Sequence, residues 1–237
     1  MIITLLGVPI TLMEGREIVP LLERFVSEDR PHHIVTINPE YFVTAQRNDA
    51  FRSVLQNADR AFADGTGIIF AARFRGHRAT LKQRCTGVAL TRMLLRLAEE
   101  RRLATLIILK RNSLTTPVVL AEVIHRFYPR LLCTVVREPV PENELQRLRP
   151  VVLLAGIGSP DQDLWIDSIK AKIPGLRIAV GVGGTFDFLS GTMKRAPGFV
   201  QALGLEWAWR LAIEPKRIGR IVRAVVIFTL IIIRSNL

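Results

Sequence analysis

The sequence predicts an α/β fold in which helices flank a mostly parallel sheet, followed by an amphipathic helical appendage at the C-terminus. Apolar runs of strand length alternate with segments of helical spacing from residue 2 to about residue 190. Hydrophobic residues make up 49% and charged residues 23%, so the 237-residue chain can bury a large core. We therefore expect an α/β domain over residues 1–195 and the appendage over residues 196–237.

The apolar runs predict the strands, and the amphipathic segments between them predict the helices. The predicted strands cover residues 2–8, 33–37, 103–109, 132–136, 151–155 and 178–182. The predicted helices cover residues 13–27, 41–58, 88–101, 117–127, 164–172 and 199–213, with a short helical turn at 145–148.

The predicted appendage combines a basic face with an apolar one. Pro215 suits the first turn of a helix in which Arg217, Arg220 and Arg223 recur every three residues. This pattern indicates binding to a membrane surface, and a solvated helix that packs on its own domain is the equal alternative. Residues 224–233 are strongly apolar, but a membrane span needs roughly twenty residues, so we expect interfacial contact.

The net charge of +12 predicts acidic partners: nucleic acid, an anionic membrane surface or phosphorylated substrates. Cys85 and Cys133 are too few for a disulfide framework, and neither they nor the four histidines have metal-ligand spacing. The first residues lack a positively charged leader region, so we expect a cytoplasmic protein.

Asp64 is the candidate catalytic residue, directly before a turn in which Gly65 and Gly67 flank Thr66 and allow positive φ or close approach of a ligand. A carboxylate there could act as a general base, although Asp-Gly is also a common turn dipeptide. Thr36 and Asn38 end a buried strand, on the side of a parallel sheet where ligands bind.

Two further features suggest anion binding. The run from Gly156 to Gly158 lies between a predicted strand and a predicted helix, as in nucleotide-binding turns, but a third glycine is missing. Arg84 lies in a polar loop and could hold a phosphate, although an ordinary surface arginine is the more common interpretation.

Four blocks in fixed order resemble the WecG/TagA/CpsF glycosyltransferases of bacterial surface polysaccharide and teichoic acid synthesis. The blocks are Thr36-x-Asn38-x-Glu40, Ala63-Asp64-Gly65-x-Gly67, Gly158-x-Pro160-x-Gln162, and the run from Gly181 to Phe188 that continues to Arg195-Ala196-Pro197, Gly204-Leu205-Glu206-Trp207 and Glu214-Pro215-x-Arg217. The resemblance extends from about Leu5 to Arg223.

The resemblance implies a Rossmann-like domain that transfers a sugar from a UDP-sugar, with inversion, to a sugar on a polyprenyl diphosphate at the inner face of the cell membrane. Asp64 matches the general base of such enzymes. The matching substrate-binding positions are Thr36, Asn38, Gly65, Arg84, Gly158, Gln162, Gly183, Asp187 and Arg195, with Arg217, Arg220 and Arg223 in the appendage. This chain departs from the family pattern at Asp163, where glutamate is usual, and over residues 109–113, where a glycine-rich turn is common.

We accordingly expect a peripheral membrane enzyme that needs no cofactor and no metal, because arginines and helix N-termini can stabilise the UDP leaving group. N-acetylmannosamine, its uronic acid and glucose stay open as the sugar, and so does the oligomeric state. A dinucleotide-binding oxidoreductase is disfavoured because no Gly-x-Gly-x-x-Gly follows the first strand. A non-catalytic basic α/β protein that binds membranes or nucleic acid is the alternative, although we expect no nucleic-acid partner.

Overall fold

The computed structural model describes residues 1–198, 200, 206–213 and 218–235. The strands are β1 Ile2–Leu5, β2 Val8–Thr11, β3 His32–Ile37, β4 Arg60–Ala63, β5 Thr105–Leu109, β6 Cys133–Arg137, β7 Val152–Gly156 and β8 Ile178–Gly181. The helices are α1 Gly15–Ser27, α2 Pro39–Ala45, α3 Asp49–Asn57, α4 Thr66–Phe74, α5 Gly87–Glu100, α6 Pro117–Phe127, α7 Glu142–Leu148, α8 Asp161–Ile169, α9 Thr185–Leu189, α10 Glu206–Ile213, α11 Ile218–Val222 and α12 Phe228–Arg234.

The strands form one sheet in the order β1-β2-β4-β3-β8-β7-β5-β6, and every pairing except β1–β2 is parallel. Side chains alternate along each strand between the two faces, so each face packs against its own helices. On one face lie α1, α5 and α6, and on the other α2, α3, α4, α7 and α8. The predicted α/β class with a mostly parallel sheet is confirmed.

The strand predicted over residues 2–8 is wrong, because the segment turns back on itself at Leu6 and Gly7. Both turn residues have positive φ, 49° and 79°, as a two-residue hairpin loop requires. The hairpin pairs β1 with β2 in antiparallel fashion at one edge of the sheet. The usual sequence signal for such a loop is a pair of turn-forming residues, and here only Gly7 is of such a type, whereas Leu6 is not.

Two other predictions fail in the first half of the chain. The helix predicted over residues 41–58 is two helices, and the second begins where the Asn48 side chain accepts a hydrogen bond from Phe51 N–H. Strand β4 was not predicted, yet it lies between β2 and β3 and its last three residues are buried. Asp64 thus follows a strand, and the apolar run after it is helix α4.

The C-terminal residues 218–234 form one continuous helix, here called the terminal helix, in which a π-helical turn (Arg223–Ile227) joins α11 to α12. Phe228 packs on Phe42 of α2 with ring centroids 5.4 Å apart, and Ile232 joins the same buried cluster. The Arg75 guanidinium donates to the Ser235 carbonyl at 2.8 Å. The inner side of the terminal helix therefore packs on the α/β domain.

The outer side of the terminal helix exposes a row of apolar residues. They recur every four positions: Ile218, Val222, Val226 and Leu230. Among the residues that the structure describes, no helix has the length and apolar character needed to cross a membrane. The helix predicted over residues 199–213 is described only from Glu206 to Ile213, and Pro215 and Arg217 lie outside the described residues.

Candidate active site

A cavity of about 780 Å³ opens at the carboxyl edge of the sheet and extends beneath the terminal helix. Parallel α/β sheets bind ligands at this edge. The predicted site residues that line it are Thr36, Asn38, Asp64, Gly65, Arg84, Gly158, Gln162, Gly183, Asp187, Arg195 and Arg220. Arg223 is not among the lining residues, and Arg217 lies outside the described part of the chain.

Asp64 is held at the cavity by the pairing of two strands. Its backbone N–H donates to the Ile37 carbonyl at 2.8 Å, which continues the β3–β4 ladder one residue past the strand end. Gly65 is the N-cap of α4 and is extended, so of the two possibilities that the sequence suggested, positive φ is not used there. Gly67 instead allows close packing, because a Cβ at that position would lie 2.8 Å from Pro39 Cγ.

The charge of Asp64 affects the pKa of two buried groups, the Cys85 thiol and the Tyr41 hydroxyl. Burial, reinforced by that charge, raises the pKa of the Cys85 thiol to about 12, so the thiol stays protonated at neutral pH. Burial also raises the pKa of the Tyr41 hydroxyl, and the charges of Asp163 and Asp64 raise it further. Tyr41 lines the cavity and offers a neutral hydroxyl there.

Gln162 connects the two glycine turns that border the cavity. Its Oε1 accepts hydrogen bonds from the backbone N–H groups of Gly158 at 3.0 Å and Gly183 at 2.9 Å. Its Nε2 donates to the Tyr41 hydroxyl at 3.0 Å and lies 3.5 Å from Asp163 Oδ2. The predicted anion site at Gly158 is altered accordingly, because its N–H group already has a partner.

The sequence contains an Asp-x-Asp pair, Asp161 and Asp163, which was not taken into account when a metal-free reaction was expected. Positions two apart on a helix do not face each other. Asp161 is exposed at the start of α8, whereas Asp163 is fully buried with its Oδ1 at 3.6 Å from Nε2 of the buried His33. The pair therefore does not converge on one point of the cavity.

The polar side chains of the neighbouring strand ends also fix the local backbone. Thr36 Oγ1 donates to the Gly181 carbonyl at 3.1 Å and so links β3 to β8. Asn38 begins α2, where its side chain accepts a hydrogen bond from Glu40 N–H at 2.9 Å. Both residues line the cavity beside Asp64.

Asp187 fastens the loop in which this chain departs from the family pattern. Its Oδ1 accepts hydrogen bonds from Ser113 Oγ at 3.1 Å, Thr115 N–H at 3.1 Å and Thr115 Oγ1 at 2.8 Å. Asp187 also lines the cavity, so hydroxyl-bearing residues rather than glycines hold this lining side chain in place.

Two arginines of the terminal helix meet one carboxylate across the cavity mouth. Arg220 donates through Nε and Nη2 to Glu40 Oε2 at 2.9 and 2.8 Å, and Arg223 Nη2 reaches Glu40 Oε1 at 3.4 Å. Arg195 is paired with Glu206, at 3.3 Å. Sequence reasoning did not select Glu40 as a site residue, although it stands in the Thr36-x-Asn38-x-Glu40 block.

The aromatic residues Tyr41, Phe70, Phe74 and Trp207 line the cavity and were also missed. Their positions follow from how the terminal helix lies over α2 and α4, and no local sequence signal carries that information.

Comparison with known proteins identifies the family. The model of the glycosyl transferase WecG/TagA/CpsF family matches residues 3–237. Three relatives bear the name N-acetylglucosaminyldiphosphoundecaprenol N-acetyl-beta-D-mannosaminyltransferase, each 27% identical to this chain. The alignments cover 81% of this chain and 76% of the relative for Bacillus spizizenii, 78% and 72% for Bacillus subtilis, and 79% and 74% for a Staphylococcus aureus strain. The resemblance seen in the sequence is confirmed: this chain is a glycosyltransferase of the WecG/TagA/CpsF family.

Proposed function

We propose that this glycosyltransferase moves a sugar from a UDP-sugar to a sugar acceptor on polyprenyl diphosphate, in the synthesis of a bacterial surface polysaccharide or teichoic acid. The observation that carries the proposal is the position of Asp64, at a strand end inside a cavity that also holds arginines and a long apolar wall. The names of the relatives support an undecaprenyl diphosphate acceptor and make N-acetylmannosamine the first donor sugar to test.

In this scheme Asp64 is the general base. Its carboxylate takes the proton of the acceptor hydroxyl as the hydroxyl oxygen attacks the anomeric carbon of the donor. The new glycosidic bond forms on the face opposite UDP, and the bond from the anomeric carbon to the phosphate oxygen breaks. UDP leaves with the bonding electrons, so the configuration at that carbon is inverted.

Arginines provide the positive charge that the leaving group needs. Arg84, Arg195 and Arg220 line the cavity, and guanidinium groups bind phosphate oxygens in a bidentate manner. Charges fixed in advance around a developing anion stabilise the transition state without a bound cation. We therefore propose a reaction that is independent of divalent metal.

The α/β domain, residues 1–195, would carry the chemistry, and the appendage, residues 196–237, would bring it to the membrane. The exposed apolar row of the terminal helix and its arginines match the two contributions that hold amphipathic helices at anionic bilayers. Because the acceptor is linked to a lipid, the reaction would take place at the inner face of the membrane.

The test is release of UDP from a panel of UDP-sugars with a lipid-linked N-acetylglucosamine acceptor, in the presence of EDTA. We expect turnover with at least one donor, and Asp64→Asn should lower kcat by about 10²- to 10⁴-fold. Asp49→Asn is the matched control, because Asp49 is exposed on α3. Near-normal turnover by Asp64→Asn would remove Asp64 as the base, and a strict requirement for Mg²⁺ would contradict the metal-free scheme.

A further inference from the structure

The outer half of the cavity is a trough between α4 and the terminal helix. Helix α4 contributes one face, formed by Gly67, Phe70, Ala71 and Phe74 at the i, i+3, i+4, i+7 spacing. The opposite wall comes from the terminal helix and consists of Ile221, Ala224, Val225, Phe228, Thr229, Ile232 and Ile233. Thr229 Oγ1 donates to the Val225 carbonyl of its own helix, so the hydroxyl is already bonded within the wall.

Both walls run from polar to apolar in the same direction. Helix α4 starts at Thr66, two residues after Asp64, and ends at Phe74. The terminal helix starts near Arg220, which binds Glu40 beside the polar end, and its far end is fixed by the Arg75–Ser235 hydrogen bond next to Phe74. From Arg220 to Ile233 the helix rises by about 20 Å, at about 1.5 Å for each residue.

Phe70 and Phe74 are unusual residues for such a position. They lie one helical turn apart, and each remains 55% exposed although it lines a cavity. Large aromatic side chains are normally buried by folding, and contiguous exposed apolar surface marks a place where something else binds. The trough therefore offers apolar surface that folding itself leaves uncovered.

The order of chemistry along the trough matches one kind of molecule. A hydroxyl-bearing sugar suits the end with Asp64, a diphosphate suits Arg220 beside that end, and a hydrocarbon chain suits the apolar end. We propose that the trough binds the proximal isoprene units of the acceptor's polyprenyl chain, with Phe70 and Phe74 as its principal contacts. This inference rests on the proposed function, because it takes the acceptor to be a polyprenyl diphosphate.

The trough is too small for a whole undecaprenyl chain, since the complete cavity measures about 780 Å³ and also holds the polar site. Only the units next to the diphosphate would lie between α4 and the terminal helix. The rest would continue past Phe74 and Ile233 into the bilayer, on the side where the terminal helix exposes its apolar row. The enzyme would thus recognise the isoprene units next to the diphosphate as well as the acceptor sugar.

The test compares two acceptors that differ only in the lipid. One carries undecaprenyl on the diphosphate and the other carries a methyl group. For the double variant Phe70→Ser/Phe74→Ser we expect KM for the undecaprenyl acceptor to rise about tenfold or more, because two large apolar side chains that would contact the lipid become small and polar. KM for the methyl acceptor and kcat for both should stay unchanged.

Phe127→Ser is the matched control, because Phe127 on α6 is 69% exposed and does not line the cavity. This control should leave both KM values unchanged. An equal loss with both acceptors would overturn the proposal, since a tail subsite cannot act on an acceptor without a tail. Loss of binding to anionic vesicles, or a changed oligomeric state, with unchanged KM values would also overturn it in favour of a bilayer contact or a second copy of the chain.

A separate binding measurement distinguishes this inference from the proposed function. Undecaprenyl phosphate in detergent is titrated against the wild-type protein and the double variant, with the fluorescence of Trp207 in the cavity lining as one readout. About tenfold weaker binding by the variant supports the subsite even if no donor gives turnover. Equal binding by the two proteins overturns the subsite even if the wild type is an active glycosyltransferase.

Discussion

At the scale of single residues, Gln162 has a structural role in addition to the substrate contact that the family resemblance implies. The resemblance places it beside the sugar, but its amide already bonds two backbone N–H groups and the Tyr41 hydroxyl. Gly181 packs so closely against Gln162 that a Cβ there would clash with the amide. The side chain is therefore a brace between the turns at Gly158 and Gly183.

We predict that Gln162→Leu costs stability as well as activity. The substitution leaves the N–H groups of Gly158 and Gly183 without their partner, at about 1–3 kcal/mol for each if they stay buried. Urea unfolding should show a loss of roughly 2–5 kcal/mol. Gln146→Leu on the exposed side of α7 should change little. A Gln162→Leu variant of normal stability whose only defect is a raised donor KM would show direct substrate binding instead.

Site residues were predictable where chemistry and position coincide in the sequence. Asp64, Thr36 and Asn38 follow apolar segments, and all three line the cavity. The partners of Gln162 could not be predicted, because Tyr41 lies 121 positions away and meets it only in the tertiary structure. For the same reason the burial of Asp163 beside His33 could not be predicted, although the sequence showed that this residue departs from the family pattern.

At the scale of elements, the contact of Glu40 with Arg220 and Arg223 fastens α11 to α2. The Glu40 side chain is only 16% exposed, whereas both arginines are about half exposed. In the proposed function, a diphosphate group would have to replace this carboxylate to bind the same arginines. Binding of the acceptor would then exchange one anion for another at the cavity mouth.

We predict that Glu40→Gln loosens the terminal helix without unfolding the domain. Charge-assisted hydrogen bonds weaken when the carboxylate becomes an amide. Hydrogen exchange of residues 218–227 should become faster, by several-fold, while exchange in the central strands stays slow. Glu142→Gln, which breaks an exposed pair with Lys172, is the control and should leave the terminal helix unaffected. Unchanged exchange in Glu40→Gln would mean that apolar packing alone holds this helix.

Elements were predictable when the apolar run was long. Strand β5 covers five consecutive buried residues and was found, although its predicted start was two positions early. Strand β4 has only three buried residues, and its neighbours β2 and β3 lie far apart in sequence, so nothing local marked it as a central strand. The break between α2 and α3 had a readable signal in Asn48, a residue type that favours helix N-termini.

At the scale of the whole molecule, the distribution of apolar surface favours attachment to a bilayer. Val226 and Leu230 are about half exposed on the outer side of the terminal helix, whereas Phe228 and Ile232 of the same helix are buried. Deleting the helix would uncover the core around Phe42, so substitutions on its outer side make the better test.

We predict that Val226→Ser/Leu230→Ser lowers partitioning to anionic vesicles by roughly tenfold or more, because transfer of each side chain to the bilayer contributes about 1–2 kcal/mol. Sedimentation with vesicles measures the effect, and the melting temperature should stay close to that of the wild type. Val118→Ser/Val119→Ser on α6 is the matched control for exposed valines. Equal partitioning of the two variants would show that the terminal helix does not contact lipid.

Acid should destabilise the fold at the end of the sheet opposite the cavity. His32 is fully buried, stacks on Phe25 at 3.8 Å and lies 3.2 Å from Asp59. Burial lowers the His32 pKa despite the attraction of Asp59 and Glu28. Burial opposes ionisation of Asp59 too, but hydrogen bonds from Arg30 and His33 N–H leave its pKa below the ordinary value.

Because both pKa values are lowered in the folded protein, both groups make it less stable as the pH falls. A folded pKa below the unfolded one means that stability is complete above the unfolded pKa and is lost as the pH falls. We expect the free energy of unfolding to decline below about pH 6.5 through His32, and further near pH 4 through Asp59. His32→Gln should remove the first decline in urea titrations, and the exposed His125→Gln should retain it. A decline that persists in His32→Gln would assign it to other groups.

The π-helical turn in the terminal helix has a consequence for how this chain tolerates length changes. Such a turn holds one residue more than an α-helical path needs, so removal of one residue from Arg223–Ile227 would restore regular hydrogen bonding. The same deletion would leave the later residues close to their present angular positions, because the wide turn already absorbs the extra residue. Phe228 and Ile232 would stay in the core, and the two walls of the trough would still face each other. A single-codon deletion here should therefore be tolerated, whereas a deletion just after it, at the start of α12, would rotate every later residue by about 100° about the helix axis.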